Sequence, residues 1–121
     1  MVQGVQGQEM AEPDVCPQAV PGEQGASEVE VVEGNFPEVS LDALPFPDGR
    51  FGLVVSDQVL EHVEALPSVA MTESLRVLRP GGWVLHTTCF RTAYHGPGDY
   101  WRFTPEGLRW LALHCGATEA F

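Results

Sequence analysis

Apolar and β-branched residues predict three strands in this chain. The first segment, at residues 28–33, is short and has three β-branched valines among three glutamates. Residues 51–55 form an uninterrupted apolar run, which is typical of a strand buried on both faces of a parallel sheet. A third run, at residues 83–88, ends in polar residues. These segments predict a sheet whose second and third strands are separated along the chain by enough residues to form one helix.

A helix is predicted between the second and third strands. Apolar residues recur along residues 66–78 with a helical spacing. Pro67 suits the first turn of such a helix, and Ser68 is its predicted N-cap. The Pro-Gly-Gly sequence at residues 80–82 is predicted to end it.

The order of the elements predicts the fold class. A last helix is expected to begin at Thr104 and to end at Gly116. Strands that alternate with helices are typical of parallel crossovers, so the predicted class is α/β. Residues 1–27 have neither a helical nor a strand period and predict a disordered or irregular acidic segment, followed by one domain at residues 28–121.

Composition narrows the classes of partner. The net charge is −11, lysine is absent, and residues 1–48 hold ten of the 17 acidic residues but none of the arginines. Without a basic stripe, no nucleic-acid partner is expected. The three cysteines lack CxxC spacing, which argues against a disulfide framework and a structural zinc site. Neither a signal peptide nor an apolar run of membrane-spanning length is visible, so we expect a soluble, cytoplasmic protein with no membrane partner.

Four motifs follow one another in the chain. They are LPFPDGRFG at residues 44–52, LEHV at 60–63, RVLRPGG at 76–82 and DYWRFTPEGL at 99–108. In this order and spacing they resemble the class I S-adenosylmethionine-dependent methyltransferases of the type 11-like group. The resemblance implies a Rossmann-like, mostly parallel sheet that binds S-adenosylmethionine as cofactor and methylates an acceptor.

Departures from the family pattern imply a partial sheet. The glycine-rich loop for the methionine part of the cofactor is absent, because Gly4 and Gly7 follow no predicted strand, and Gly52 stands where the family usually has Asp. The chain then resembles a domain that begins at the third strand, with the N-terminal strands missing. The exposed edge at residues 29–33 predicts a homodimer or an aggregation-prone monomer, unless residues 1–27 cover it.

Polar residues near the first predicted strand are candidate adenine ligands. The resemblance implies contacts from Asn35, from the Asp42 side chain and from the backbone N–H groups of Ala43 and Leu44. The alternative is that Asn35 only ends a strand and Asp42 only caps a turn.

The second strand ends in a further set of candidate cofactor ligands. Ser56, Asp57 and Gln58 lie just past the buried run, where ligands bind in open α/β sheets. His62 lies one helical turn beyond Gln58 and is predicted to face the same pocket. Alternatively, His62 is a structural residue that hydrogen-bonds a backbone carbonyl.

The segment after the third strand is predicted to overhang the pocket and to bind a small-molecule substrate. The predicted substrate-binding residues are Tyr94, Asp99, Tyr100 and Arg102. His95 is the candidate general base, because its unperturbed pKa suits proton transfer near neutral pH. Alternatively, Arg102 pairs with Asp99 instead of holding an anion, and Tyr100 and Trp101 are packing residues.

No metal site is predicted. The residues Asp57, His62, His95 and Asp99 do not have the spacing of a ligand motif. Cys89 and Cys115 are interpreted as small apolar residues.

Two hypotheses follow. The first is an S-adenosylmethionine-dependent methyltransferase with a small-molecule acceptor, present as a truncated domain. The second is a non-catalytic methyltransferase-like remnant or interaction module that does not bind the cofactor.

Overall fold

The computed structural model of the chain describes residues 3–9, 30–34 and 38–121. The strands are β1 (Gln3–Glu9), β2 (Glu30–Glu33), β3 (Phe51–Asp57) and β4 (Leu78–Thr87). The helices are α1 (Pro67–Arg76) and α2 (Pro105–His114), and a short 3₁₀ helix spans Leu60–His62. The predicted α/β class is confirmed.

The four strands form one sheet in the order β2-β1-β3-β4. β3 and β4 are parallel, and β1 is antiparallel to both β2 and β3. Three of the four strands therefore run in the same direction, as the prediction of a mostly parallel sheet requires. The parallel register places Asp57 opposite Thr87, so the carboxyl ends of β3 and β4 meet at one edge of the sheet.

The strand at Gln3–Glu9 differs from the irregular segment predicted for residues 1–27. Its sequence has no strand-like alternation of apolar residues, so its side chains give no signal from which the strand is predictable. Backbone hydrogen bonds to two neighbours, β2 and β3, define it instead. Residues 10–27 lie outside the described part of the chain, and the predicted boundary between the two segments stays a prediction.

The crossover helix is shorter than predicted at its carboxyl end. α1 ends at Arg76, and residues 80–82 already belong to β4. Gly81 has a φ of +79°, and a Cβ on Gly82 would lie 3.0 Å from the Gly52 carbonyl oxygen. The Pro-Gly-Gly sequence therefore shifts the strand register next to β3 rather than ending a helix. Ser68 is not the N-cap, because that position falls to Leu66, which makes no side-chain capping bond.

The hydrophobic core is enclosed by β3, by α1 with the residues on either side of it, and by the loop before β3. Its buried members are Leu41, Leu44, Phe51, Val54, Val59, Leu60, Val63, Ala70 and Val77. This packing fixes the carboxyl end of β3 and the 3₁₀ helix that follows it. As predicted, α2 begins next to Thr104, whose hydroxyl accepts a hydrogen bond from the Gly107 N–H at 2.9 Å. Among the described residues, none of the helices is long and apolar enough to cross a bilayer.

Candidate functional site

The carboxyl ends of β3 and β4 form a polar edge that contains two of the predicted cofactor ligands. The Thr87 hydroxyl donates to Asp57 Oδ1, and the Gln58 N–H donates to the Thr87 carbonyl oxygen at 3.0 Å. The side-chain nitrogen Gln58 Nε2 lies 3.4 Å from Thr87 Oγ1. Asp57 and Gln58 therefore lie together at the sheet edge, as the sequence predicted.

Gln58 adopts a left-handed backbone conformation with a φ of 56°. A non-glycine residue in this region costs about 1–3 kcal/mol, and such residues cluster at functional sites. Here the conformation turns the chain sharply out of β3, so that the 3₁₀ helix at Leu60–His62 lies directly above the strand end.

Beneath this edge, Ser56 and His86 form a partly buried pair. Ser56 is fully buried, and its Oγ lies 2.6 Å from His86 Nδ1. His86 Nε2 is buried without a hydrogen-bond partner. Burial lowers the pKa of His86 from 6.5 to about 4, because the charged imidazolium is poorly solvated there. The Ser56 hydroxyl is thus paired with His86, and its role as a cofactor ligand stays a prediction.

The pKa of His86 predicts a pH dependence of folding. Its pKa is lowered on folding, so its contribution to stability is complete above pH 6.5 and is lost progressively as the pH falls towards about 4. At roughly 1.4 kcal/mol per pKa unit, the loss amounts to at most about 3 kcal/mol. Urea unfolding at several pH values measures it. His86→Gln is expected to flatten the curve between these pH values, whereas His114→Gln, on exposed α2, leaves the slope unchanged. Equal slopes for the wild type and His86→Gln contradict the assignment.

Glu61 is a residue of the site that the sequence analysis missed. It is fully buried, and its carboxylate accepts a hydrogen bond from Thr88 Oγ1 at 2.9 Å. Its backbone oxygen accepts the N–H groups of Tyr100 at 2.9 Å and Trp101 at 3.2 Å. Glu61 therefore connects the 3₁₀ helix to the segment after β4. An acidic residue between apolar neighbours, in the stretch Val-Leu-Glu-His-Val, is the signal that points to such a buried role.

Cys89 lies between Gln58, at the polar edge of the sheet, and Glu61. Its Sγ is 3.1 Å from Gln58 Oε1 and 3.2 Å from Glu61 Oε1. Burial raises the pKa of the Cys89 thiol, and the hydrogen bond to Glu61 raises it further. The thiol therefore stays protonated as a hydrogen-bond donor and is a poor nucleophile. This polar role goes beyond the small apolar residue that the sequence predicted.

Two histidines, an aspartate and an arginine form a continuous chain of contacts beside this edge. His62 Nδ1 lies 2.7 Å from the Gly98 carbonyl oxygen, and His62 Nε2 lies 3.2 Å from His95 Nε2. His95 Nδ1 in turn lies 3.2 Å from Asp99 Oδ2, and Arg102 forms a two-pronged ion pair with the same carboxylate. Hydrogen bonds from Arg102 hold the pKa of Asp99 well below its usual range.

This arrangement gives the partners of the residues whose roles the sequence left open. His62 does bond a backbone carbonyl, and it also contacts His95. Arg102 pairs with Asp99 at the protein surface, so its guanidinium is occupied. The Trp101 indole donates to the Val63 carbonyl oxygen at 2.8 Å, which makes Trp101 a packing residue. Tyr94 and Tyr100 are 72% and 52% exposed, so their rings line no enclosed pocket.

The predicted adenine ligands lie in the loop before β3. Asn35 is outside the described residues. Asp42 accepts a hydrogen bond from the Ser40 hydroxyl, and the Ala43 N–H donates to the Ser40 carbonyl oxygen at 3.2 Å. The Leu44 N–H donates to Glu73 Oε2 at 3.0 Å. The two backbone N–H groups that the resemblance assigned to adenine are thus used within the chain.

Arg76 holds the loop at residues 44–48 in place through hydrogen bonds, and the sequence did not predict this role. Its guanidinium donates to both Glu73 oxygens, at 2.7 and 2.9 Å, and to the Leu44 and Phe46 carbonyl oxygens, at 3.0 and 2.8 Å. It also pairs with Asp48 at 2.8 Å. The hydrogen bond from Arg76 lowers the pKa of Glu73. The arginine of the RVLRPGG motif therefore ties the end of α1 to the loop at residues 44–48.

Comparison with known proteins agrees with this architecture. A family model described as a methyltransferase domain matches residues 6–86, which is more than half of the chain. The chain belongs to this methyltransferase domain family. The matched region includes Asp57 and Gln58 but ends one residue before Thr87 and before the segment that contains His95 and Asp99.

Three curated proteins are similar to part of the chain. An uncharacterised methyltransferase of Schizosaccharomyces pombe is 35% identical over 71 residues, which is 59% of this chain and 25% of the relative. An uncharacterised methyltransferase of Mycolicibacterium gilvum is 49% identical over 49 residues, covering 40% of this chain and 19% of the relative. An uncharacterised 37.1 kDa protein in a transposon of Streptomyces fradiae is 43% identical over 53 residues, covering 40% of this chain and 15% of the relative. The chain thus spans a quarter or less of these relatives, and no solved structure matches it.

Proposed function

We propose that this chain belongs to an S-adenosylmethionine-dependent methyltransferase that acts on a small-molecule acceptor. The main support is the polar edge where Asp57 and Gln58 lie at the carboxyl ends of β3 and β4, inside the region that matches the methyltransferase domain. Ligands of open α/β sheets bind at such edges. When bound, S-adenosylmethionine supplies a methyl group on a positively charged sulfur, which an acceptor oxygen or nitrogen attacks in line.

The residues at the edge fit part of this cofactor. The Asp57 carboxylate and the Gln58 amide offer hydrogen-bond acceptors and donors suited to the nucleoside hydroxyls and ring nitrogens. The fit does not extend to Ala43 and Leu44, whose N–H groups are used within the chain. Among the residues that the structure describes, no glycine-rich loop follows a strand, so we assign no residue to the methionine part.

The acceptor side of the site is proposed to be the segment around His95. Glu61 holds this segment against the cofactor edge through the backbone N–H groups of Tyr100 and Trp101. His95 has its Nδ1 oriented by Asp99, as a general base requires. Its Nε2 faces His62 Nε2 at 3.2 Å, and His95 takes a proton from the methyl acceptor only while no other group occupies the lone pair of its Nε2.

The second candidate is a module that keeps this fold without binding the cofactor. The observation that favours it is the direction of β1, which is antiparallel to β3 and brings Gln3, its first residue, opposite Asp57. β1 therefore has its amino end, and not its carboxyl end, next to Asp57. A loop that follows β1 lies at the opposite edge of the sheet. Homodimer formation through β2, one of the two edge strands of the described sheet, remains a prediction under either candidate.

Calorimetric titration separates the two candidates. We expect S-adenosylmethionine and its demethylated product to release or absorb heat on binding to the 121-residue chain. Asp57→Asn is expected to weaken binding roughly tenfold or more, because a hydrogen bond to a charged group contributes about 1.5–3 kcal/mol. Glu119→Gln, the same change of acid to amide near the carboxyl terminus, is the control. Absence of both heat and thermal shift at millimolar ligand overturns the first candidate and supports the second.

A further inference from the structure

The imidazole rings of His62 and His95 direct two lone pairs at one another. His62 Nδ1 lies 2.7 Å from a carbonyl oxygen, which only accepts hydrogen bonds, so Nδ1 holds the proton of that ring. His95 Nδ1 faces the Asp99 carboxylate, both of whose oxygens accept hydrogen bonds from Arg102, so it too is the protonated nitrogen. A neutral imidazole with its proton on Nδ1 has an acceptor at Nε2. Two acceptors therefore stand 3.2 Å apart, and a cation between them removes the conflict.

The spacing of the two nitrogens fits one metal ion. Histidine nitrogens bind zinc at about 2.0–2.1 Å, so two of them on a tetrahedral ion stand roughly 3.3 Å apart. The observed separation of 3.2 Å is close to this value, and the two rings meet at an angle of 77°. The rings are thus placed to share an ion with little rearrangement.

The groups behind the two rings are those of a metal site. Histidine ligands usually donate their other N–H to a carboxylate or a backbone carbonyl, which fixes the ring and its tautomer. His95 has the carboxylate of Asp99 in this position, and His62 has the carbonyl of Gly98. The Asp99 side chain is only 1% exposed and is held from behind by Arg102. The His95 side chain is 39% exposed, which leaves room for water on the open side of an ion.

We propose that His62 and His95 bind one divalent transition-metal ion of the zinc class through their Nε2 atoms, with water or a bound acceptor in the remaining positions. Within the described residues, no group of three or more His, Cys, Asp and Glu side chains is arranged to hold a metal, so the site has two protein ligands. Imidazole is a suitable ligand for zinc, copper and nickel. This site differs from the prediction of no metal, and one of its two ligands, His95, lies beyond the segment that the family model matches.

Zinc titration of the full chain tests the site. We expect one Zn²⁺ per chain, with affinity at least tenfold weaker in His62→Gln and in His95→Gln. Asp99→Asn is expected to weaken binding by about 10–100-fold, as loss of an outer partner does in other sites. His114→Gln is the matched control, because His114 lies on α2, where its Nδ1 contacts the Trp110 carbonyl oxygen. Equal zinc affinity in the wild type and in the His62→Gln/His95→Gln double variant overturns the proposal, and so does an equal loss in the control.

A measurement on the unmodified chain tests the proposal even if the variants fail to fold. Imidazole ¹⁵N shifts are expected to show Nδ1–H tautomers for His62 and His95, and added Zn²⁺ should move only the Nε2 signals of these two among the four histidines. A proton on Nε2 of either ring, with no response to Zn²⁺, means that the pair shares a proton and overturns the proposal. Because these readouts do not involve S-adenosylmethionine, the site is tested independently of the proposed function.

Discussion

Replacing Arg76 with methionine is expected to lower the free energy of unfolding by about 3 kcal/mol, because hydrogen bonds to charged groups are each worth about 1.5–3 kcal/mol and are not additive. The guanidinium is about one-third exposed, so this value is below that of a fully buried pair. The substitution keeps most of the aliphatic volume. It leaves the Glu73 carboxylate and the Leu44 and Phe46 carbonyl oxygens without the donor that they share. Urea unfolding measures the loss.

The matched control for this change is Arg109→Met. Arg109 lies on the exposed surface of α2, where substitutions usually change stability by less than about 0.5 kcal/mol. A second readout is acid stability. The pKa of Glu73 is lowered in the folded state, so its pairing stabilises the protein above pH 4.5 and is lost as the pH falls below that value. Similar losses in the Arg76→Met and Arg109→Met variants contradict the role given to Arg76.

Replacing Phe51 with alanine is expected to cost about 3–5 kcal/mol, since large-to-small changes of a buried aromatic remove packing and leave a cavity. Phe51 is fully buried at the start of β3, and its ring meets the Phe46 ring edge-on with centroids 5.0 Å apart. Its N–H donates to the Val77 carbonyl oxygen at 2.9 Å. The ring thus joins β3, the loop before it and the end of α1. Domains are stable by only about 5–15 kcal/mol, so this variant is expected to be marginally folded at 25 °C.

Phe90→Ala is the control for this effect. Phe90 follows β4 and is 51% exposed, so its loss creates no buried cavity and should change stability little. Thermal unfolding of the two variants beside the wild type gives the comparison. A Phe51→Ala protein with the wild-type melting temperature shows that the packing around β3 is not as described.

Local sequence patterns predicted the elements that bury apolar residues. The run at residues 51–55 became the first part of β3, and the helical stripe at residues 66–78 became α1 within two residues at each end. Such elements are predictable because burial of one face requires a matching period in the chain. β1 has no such period, and the start of β4 at Leu78 depends on the register with Phe51, so neither was predictable from local pattern.

The candidate site was predictable to a smaller extent. The placement of Asp57 and Gln58 follows from a rule about strand ends, and the structure places both there. The roles of Glu61 and Arg76 depend on partners that lie far away in the chain, such as Thr88 for Glu61 (27 residues) and Leu44 for Arg76 (32 residues), which spacing does not reveal. The contact between the Nε2 atoms of His62 and His95 was not predictable for the same reason, because the two residues are 33 positions apart in the chain.

The sequence by itself determined the methyltransferase domain family, the α/β class and the strand end at which a ligand is expected, because motif order and hydrophobic period are properties of the chain alone. The tertiary structure decided which polar groups are already used within the chain. In the folded protein, the Leu44 N–H donates to Glu73 and the Arg102 guanidinium pairs with Asp99. His86 lies beside Ser56, and the Nε2 atoms of His62 and His95 face each other. Hydrogen bonds between distant segments form only when the core brings those segments together, and they decide which of these side chains are left to bind a ligand.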